Sequence, residues 1–249
     1  MCYNKGMHDK VMNKRNVEVL RLASRFSLPP NSLGYCGKGS APEKLKTCAL
    51  SGKCFGVEEE LSHFIVLYPY LKTISKIIDK PIFSYPVVES YWLGNDALKK
   101  ADCSHFDLLL ENFSNQGVPE NVLADFRKRR LKEFIPHHFF HVLYLGVGKA
   151  SKSVAFNIDS INKCMIRWGR VEEFKKDKIL VSVNFLEEKV FSYKLVVRQE
   201  TFKIYPDFVS GLAIGDFVAI HWDQVVKILT SREEKNLSFW TNRILDIGN

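Results

Sequence analysis

The chain has 249 residues, 46% hydrophobic, 26% charged and 12% aromatic, the composition of an ordinary globular protein. No run reaches eighteen uncharged apolar residues, and 14 glycines and 9 prolines are too few for a collagen-like or low-complexity chain. Thirty-six basic against 28 acidic residues give +8, gathered partly in a flexible N-terminal arm over 1–15 and partly in the run 127–132. A solvated surface explains that excess at least as well as an anionic partner does.

The polar N-terminus lacks the apolar stretch of a secretory signal, so a cytoplasmic protein without membrane insertion is expected. In that compartment the six cysteines are expected as reduced thiols, with Cys48, Cys54 and Cys103 serving as packing residues. No C-x-x-C pair is present.

Up to about residue 148 the apolar period is helical. Val19, Leu22, Ala23 and Phe26 recur at i, i+3, i+4 and i+7, and Pro29-Pro30 is expected to end that helix. A glycine-rich loop, LGYCGKGSAP, carries Cys36, and a short helix follows from Pro42. Further helices are expected over 57–78 with a kink at Pro69, then over 86–100, 104–115, 119–133 and 137–146. Gly94 and Asn95 have the look of a left-handed helix end.

From about residue 160 the period becomes two. Strands are expected over 164–171, 179–185, 191–197 and 217–220, each with one buried face. Ser231 is the expected N-cap of a last helix bearing Leu237, Trp240, Thr241, Ile244 and Leu245 on one side. The whole reads as α+β: an N-terminal α-helical domain over 16–148, a linker over 149–160, and an OB-like β-barrel with a C-terminal helix over 161–249.

The second half carries CMIRWGRV from Cys164, GDFVAIH from Gly215 to His221, and a terminal helix with an acidic first turn. This ordered set resembles the small hydrogenase-assembly chaperones of the HypC/HupF type. That resemblance implies an accessory factor in nickel–iron hydrogenase maturation, not a turnover enzyme. Its barrel would hold an iron–cyanide–carbonyl unit in transit through Cys164 and His221, or dock maturation proteins or the hydrogenase large subunit. Thiolate and imidazole suit iron. The cysteine of that family opens its chain, whereas Cys164 is internal. Asp223 would orient His221 from two residues away. The whole chain also resembles an uncharacterised bacterial and archaeal family through LPPNSLGYCG from Leu28, YWLGN from Tyr91, PHHFFH from Pro136, RWGRV from Arg167 and GDFVAIHWD from Gly215.

Three histidines, His137, His138 and His141, follow Pro136. Residues four apart share a helix face, so His137 and His141 could chelate one metal, and His138 with His141 less ideally. Packing by Phe139, Phe140 and Val142 with the histidines merely hydrogen-bonded is the plainer reading. Cys36, flanked by Gly34 and Gly37, offers either a metal ligand or a nucleophile with His141 as base, as in a cysteine-dependent amidase or acyl transferase. A nucleic-acid-binding OB-like protein is the third reading, resting on the basic run.

Overall fold

A computed structural model describes residues 14–37, 41–129, 131–190 and 192–248. Most of the arm expected over 1–15 lies outside them, as does Cys2, but residues 14 and 15 already belong to the first helix, α1 (Lys14–Ser32). Val19, Leu22, Ala23 and Phe26 are buried along it. Contrary to expectation, α1 runs through Pro29 and Pro30. Proline's fixed φ fits a helix, and close to the helix end the missing N–H groups and the ring's crowding of the carbonyls four residues back disturb few bonds.

Helix α2 (Ala41–Ser51) packs on α1. At its C-terminal end Cys48 forms a disulfide with Cys54. That corrects the expectation of six reduced thiols. Cys103 is exposed and so is no packing residue.

The segment 57–78 is two helices, α3 (Val57–Ser62) and α4 (Leu67–Ile78), rather than one kinked helix. Pro69 falls in the first turn of α4, where its N–H would have no partner in any case. The expected 86–100 helix is likewise divided. Helix α5 (Tyr85–Trp92) ends at Gly94, which has φ +77°, and a 3₁₀ turn over Asp96–Lys100 follows. Any side chain at Gly94 would collide with Trp240, since an ideal Cβ would lie 2.2 Å from its Cδ1.

Helix α6 (Ser104–Asn115) matches its expected span, while α7 (Glu120–Arg127) stops six residues short of 133. Continuing it would set Lys128 against Lys132, a like-charge i,i+4 pair. Among the described residues of the basic run, Arg127 alone is helical; it pairs with Glu120, and Arg129 pairs with Asp125. A one-turn helix, α8 (His138–Phe140), continues directly into a π-helical turn, His141–Gly146.

Cys164 was expected on a strand, but it ends a helix, α9 (Ile158–Cys164), which also takes up the end of the expected linker. A capping box between Asn157 and Ser160 starts this helix. Five strands follow: β1 (Arg167–Lys175), β2 (Lys178–Glu188), β3 (Tyr193–Lys203), β4 (Phe217–His221) and β5 (Gln224–Leu229). They close a barrel in the order β1-β2-β3-β5-β4, antiparallel except for β3 beside β5 at Lys203 and Gln224. This is the OB-like, five-stranded arrangement.

Val171, Val181, Val183, Val218 and Ile220 fill its interior. Gly169 lets β1 approach β2, because a Cβ there would sit 2.3 Å from the Ser182 carbonyl oxygen. Strand β3 departs from its expected alternation. Val197 is 66% exposed, and Phe202 supplies the fully buried side chain instead.

The last helix, α10 (Ser231–Gly248), is capped by Thr230, one residue before the expected Ser231. The Thr230 N–H donates to Glu233 Oε2 at 2.9 Å, and the Glu233 N–H donates to Thr230 Oγ1 at 3.3 Å. Helix α10 reaches back to the N-terminal half. Arg232 meets Glu89 at 2.5 Å, the Tyr144 hydroxyl donates to the Ile244 carbonyl at 3.0 Å, and Arg243 meets Glu133 at 2.6 Å. The helical half and the barrel share one continuous core. No helix among the described residues is long and apolar enough to cross a membrane.

Candidate metal centre

Three elements bring His138, Cys164 and His221 together. Asn162 fixes the end of α9 to the barrel. It receives the Leu186 N–H on Oδ1 at 2.8 Å and donates from Nδ2 to the Leu186 carbonyl at 2.9 Å. The Trp222 N–H donates to the Lys163 carbonyl at 2.8 Å and so ties the β4–β5 turn to the residue before Cys164. Trp222 and Asp223 form that two-residue turn with φ of +48° and +58°, the left-handed pair a tight hairpin needs. His221, last in β4, is thereby held beside Cys164. His138 enters from the helical half at the start of α8.

One potential ligand atom from each of the three lies within 4.8 Å of the other two. The Cys164 sulfur is 3.8 Å from His138 Nε2. Trp92 packs against both imidazoles at a tilt, with ring centroids at 4.7 Å from His138 and 5.6 Å from His221.

Hydrogen bonds assign the protons. Pro30 has no N–H to give to Phe26, four residues earlier, and the freed Phe26 carbonyl accepts from His221 Nδ1 at 2.6 Å. His221 Nε2 consequently bears a lone pair; it is buried and makes no hydrogen bond of ordinary geometry, although the Cys164 backbone lies close enough to act on the ring. His138 Nε2 donates to the Cys164 carbonyl at 2.7 Å, while its Nδ1 accepts from the Tyr91 hydroxyl at 3.0 Å. If Nε2 is to ligate, its proton must pass to Nδ1. The Tyr91 oxygen can accept there as readily as its hydroxyl now donates.

Burial decides the charges. It holds His138 down at about 4 and His221 well below the ordinary imidazole range, so both are neutral at pH 7. Burial also pushes the Cys164 thiol well up, and the nearby Cys36 adds to that. The indole of Trp222 opposes this shift, although its Nε1 makes no hydrogen bond of ordinary geometry.

These side chains line one cavity of about 50 Å³, room for more than one water-sized group. Cys36 and His141 line it too, so five of the sequence-derived candidates share one cleft between the helical half and the barrel. None of its lining residues carries a formal charge at neutral pH.

Two of the candidates do something else. His137 does not reach the cavity; its Nδ1 accepts the Phe139 N–H at 3.2 Å and caps α8, so His138 takes the place expected of His137. Asp223 does not orient His221. It pairs with Arg167 at 2.5 Å, because the tight turn sends its side chain to the barrel surface. Cys36 makes no hydrogen bond to a histidine among the described residues, and burial pushes its thiol up to about 12.

Tyr91 and the Phe26 carbonyl are the functional groups that sequence reasoning missed. A backbone acceptor has no residue signature; the trace it leaves is a proline within a helical pattern.

Orphaned nitrogens on buried, neutral imidazoles beside a thiol fit a transition-metal ion. Such a set favours zinc, iron or copper over the oxygen-loving magnesium and calcium. Fold and site thus define an α+β protein with an OB-like barrel and a buried Cys/His cluster at the junction of its two halves. The chain belongs to a family of unknown function (DUF6390), whose model matches residues 17–249. No curated protein and no solved structure matches it.

Proposed function

We propose that this protein handles a transition metal as an accessory factor, in nickel–iron hydrogenase maturation, and is not a turnover enzyme. One observation carries the reading: His138, Cys164 and His221 converge within 4.8 Å, with His221 Nε2 left without a hydrogen bond of ordinary geometry in a buried cavity. Cys164 and His221 are also the two residues to which the hydrogenase-chaperone resemblance assigns iron.

The chemistry suits holding rather than turnover. General acid–base work needs a group poised near the operating pH, and the cavity histidines are pushed far below it. A cysteine nucleophile needs an adjacent base or a lowered pKa; Cys36 makes no hydrogen bond to a histidine among the described residues, and burial raises its thiol. What the chain supplies is ligands, a fixed tautomer and shielding from water. The group delivered would be iron, as an iron–cyanide–carbonyl unit, and the recipient a maturation protein or the hydrogenase large subunit.

The test is anaerobic purification from cells making the maturation machinery, followed by iron analysis, infrared spectroscopy and recovery of bound partners. Iron at about one per chain with cyanide and carbonyl bands supports the reading. Iron-free protein with neither bands nor a hydrogenase-related partner refutes it.

A further inference from the structure

A divalent ion placed among His138, Cys164 and His221 would meet one thiolate and two neutral imidazoles. That leaves a net charge of +1 in a cavity without a charged lining residue. An uncompensated charge in such surroundings is strongly disfavoured. A second thiolate removes it, and the cavity offers one on Cys36, whose sulfur stands outside the 4.8 Å group and would turn toward it on metal binding.

The Cys36 backbone is held in place. Its carbonyl accepts from Asn31 Nδ2. Gly37 has φ +76° and is so closely packed that a Cβ would lie 2.6 Å from Asn31 Nδ2 and 2.7 Å from the Phe64 ring. The Tyr35 carbonyl accepts from Ser153 Oγ at 3.2 Å, and the Tyr35 ring rests on Trp222 at 4.6 Å. The turn carrying Cys36 is therefore fastened to the same Trp222 that is tied to the end of α9. Cys36 also lies close enough to Cys164 and Tyr91 for its charge to be felt at both.

We propose that Cys36 is the fourth ligand, completing with His138, Cys164 and His221 an electrically neutral Cys₂His₂ set for a bare divalent ion such as iron(II) or zinc(II). The proposal rests on the metal-handling reading and adds to it the ligand count and the charge. Two sulfur–metal bonds form and two S–H bonds break, so each ion taken up releases two protons to water. His138 passes its Nε2 proton to its own Nδ1 and contributes none. Four ligands of this type match the usual tetrahedral preference of zinc.

His141 is the competing candidate, since its Nδ1 is buried without a partner and it lines the same cavity. As a fourth ligand it would leave the charge at +1. Its ring lies edge-on to Tyr70, with centroids 5.7 Å apart.

Cobalt(II) titration of the full-length protein in oxygen-free, weakly buffered solution separates the alternatives. The wild type is expected to bind one ion, show a sulfur-to-cobalt charge-transfer band and release two protons per ion. Cys36→Ser should release one proton, show about half the band, and bind more weakly by more than the roughly 10–100-fold that loss of an outer hydrogen-bonding partner causes. His141→Gln should bind like the wild type.

Full affinity, full band and two protons in Cys36→Ser and in a Cys36→Ala control overturn the fourth-ligand assignment and leave metal handling intact. Loss of binding in His141→Gln but not in Cys36→Ser overturns it in favour of His141. A wild type that takes up no cobalt, iron or zinc overturns both. Circular dichroism of each variant checks that it folds.

Discussion

The free lone pair on His221 originates 191 positions earlier in the chain, at Pro30. Because proline has no N–H, the Phe26 carbonyl is left to accept the Nδ1 proton of His221, and the remaining nitrogen faces the cavity. Pro30→Ala restores a helical donor to Phe26 and releases His221 to take either tautomer. The expected outcome is metal affinity lower by about 10-fold, the low end of what an outer hydrogen bond to a metal-binding histidine contributes. Unchanged affinity in a cobalt titration would show that the Phe26 bond does not set the tautomer. Cys36, Cys164, His138, His141 and His221 are legible as candidates because their side chains declare their chemistry. Which of two adjacent histidines reaches the cavity is not, since one residue of helix phase separates His137 from His138. Asp223 shows the converse: an acidic residue two positions from His221 looks like its partner until a tight turn points it at Arg167.

At the level of elements, periodicity located most of the helices and four of the five strands, and missed β5 and the interruptions. The break between α3 and α4 and the left-handed residue at Gly94 each change the chain's direction without disturbing the apolar pattern. Helix α9 was hidden for a different reason. It spans seven residues, too short for a helical period to register, and is announced only by its Asn157 cap. Gly94 also connects distant elements, as the place where Trp240 of α10 lies against the end of α5. Gly94→Ala adds a methyl where none fits, on a backbone that L side chains avoid. Overpacking and strain together should cost about 3 kcal/mol. Thermal or urea unfolding measures this, and a loss under about 0.5 kcal/mol would mean that α10 can shift freely at that contact.

Over the whole molecule, the buried histidines make the metal-free protein sensitive to acid. The folded-state values are about 4 for His138 and about 3 for His137 and His141, against 6.5 for an ordinary histidine. As pH falls below about 6.5 the unfolded chain takes up these protons first, so stability is expected to drop through the window from 6.5 to 3. Each group contributes up to about 1.4 kcal/mol per pH unit there. Denaturation at pH 7 and pH 5 checks the sign; equal stability at the two would place these side chains in water. A bound metal joins ligands from both halves and should make them melt together. At a free metal concentration 100 times Kd the gain is about 2.7 kcal/mol. Calorimetry should then show a single transition at higher temperature. Two transitions, with only one responding to metal, would mean that the ligands come from one half alone.

The β3–β5 pairing at Lys203 and Gln224 helps to close the barrel and is the only parallel pairing among the described residues. Strand β4, with His221, meets α1 across nearly two hundred residues. Contacts of such separation form late and slowly, and segments emerge from synthesis in order. Phe26 therefore waits, its carbonyl unclaimed, until the last strands have been made. A half-made chain owns Cys36, His138 and Cys164 but lacks His221 and the Trp222 wall of the cavity. Loading of the proposed site would in this way be timed by translation: the nascent chain lacks His221 and Trp222, and the finished one brings both to the cavity.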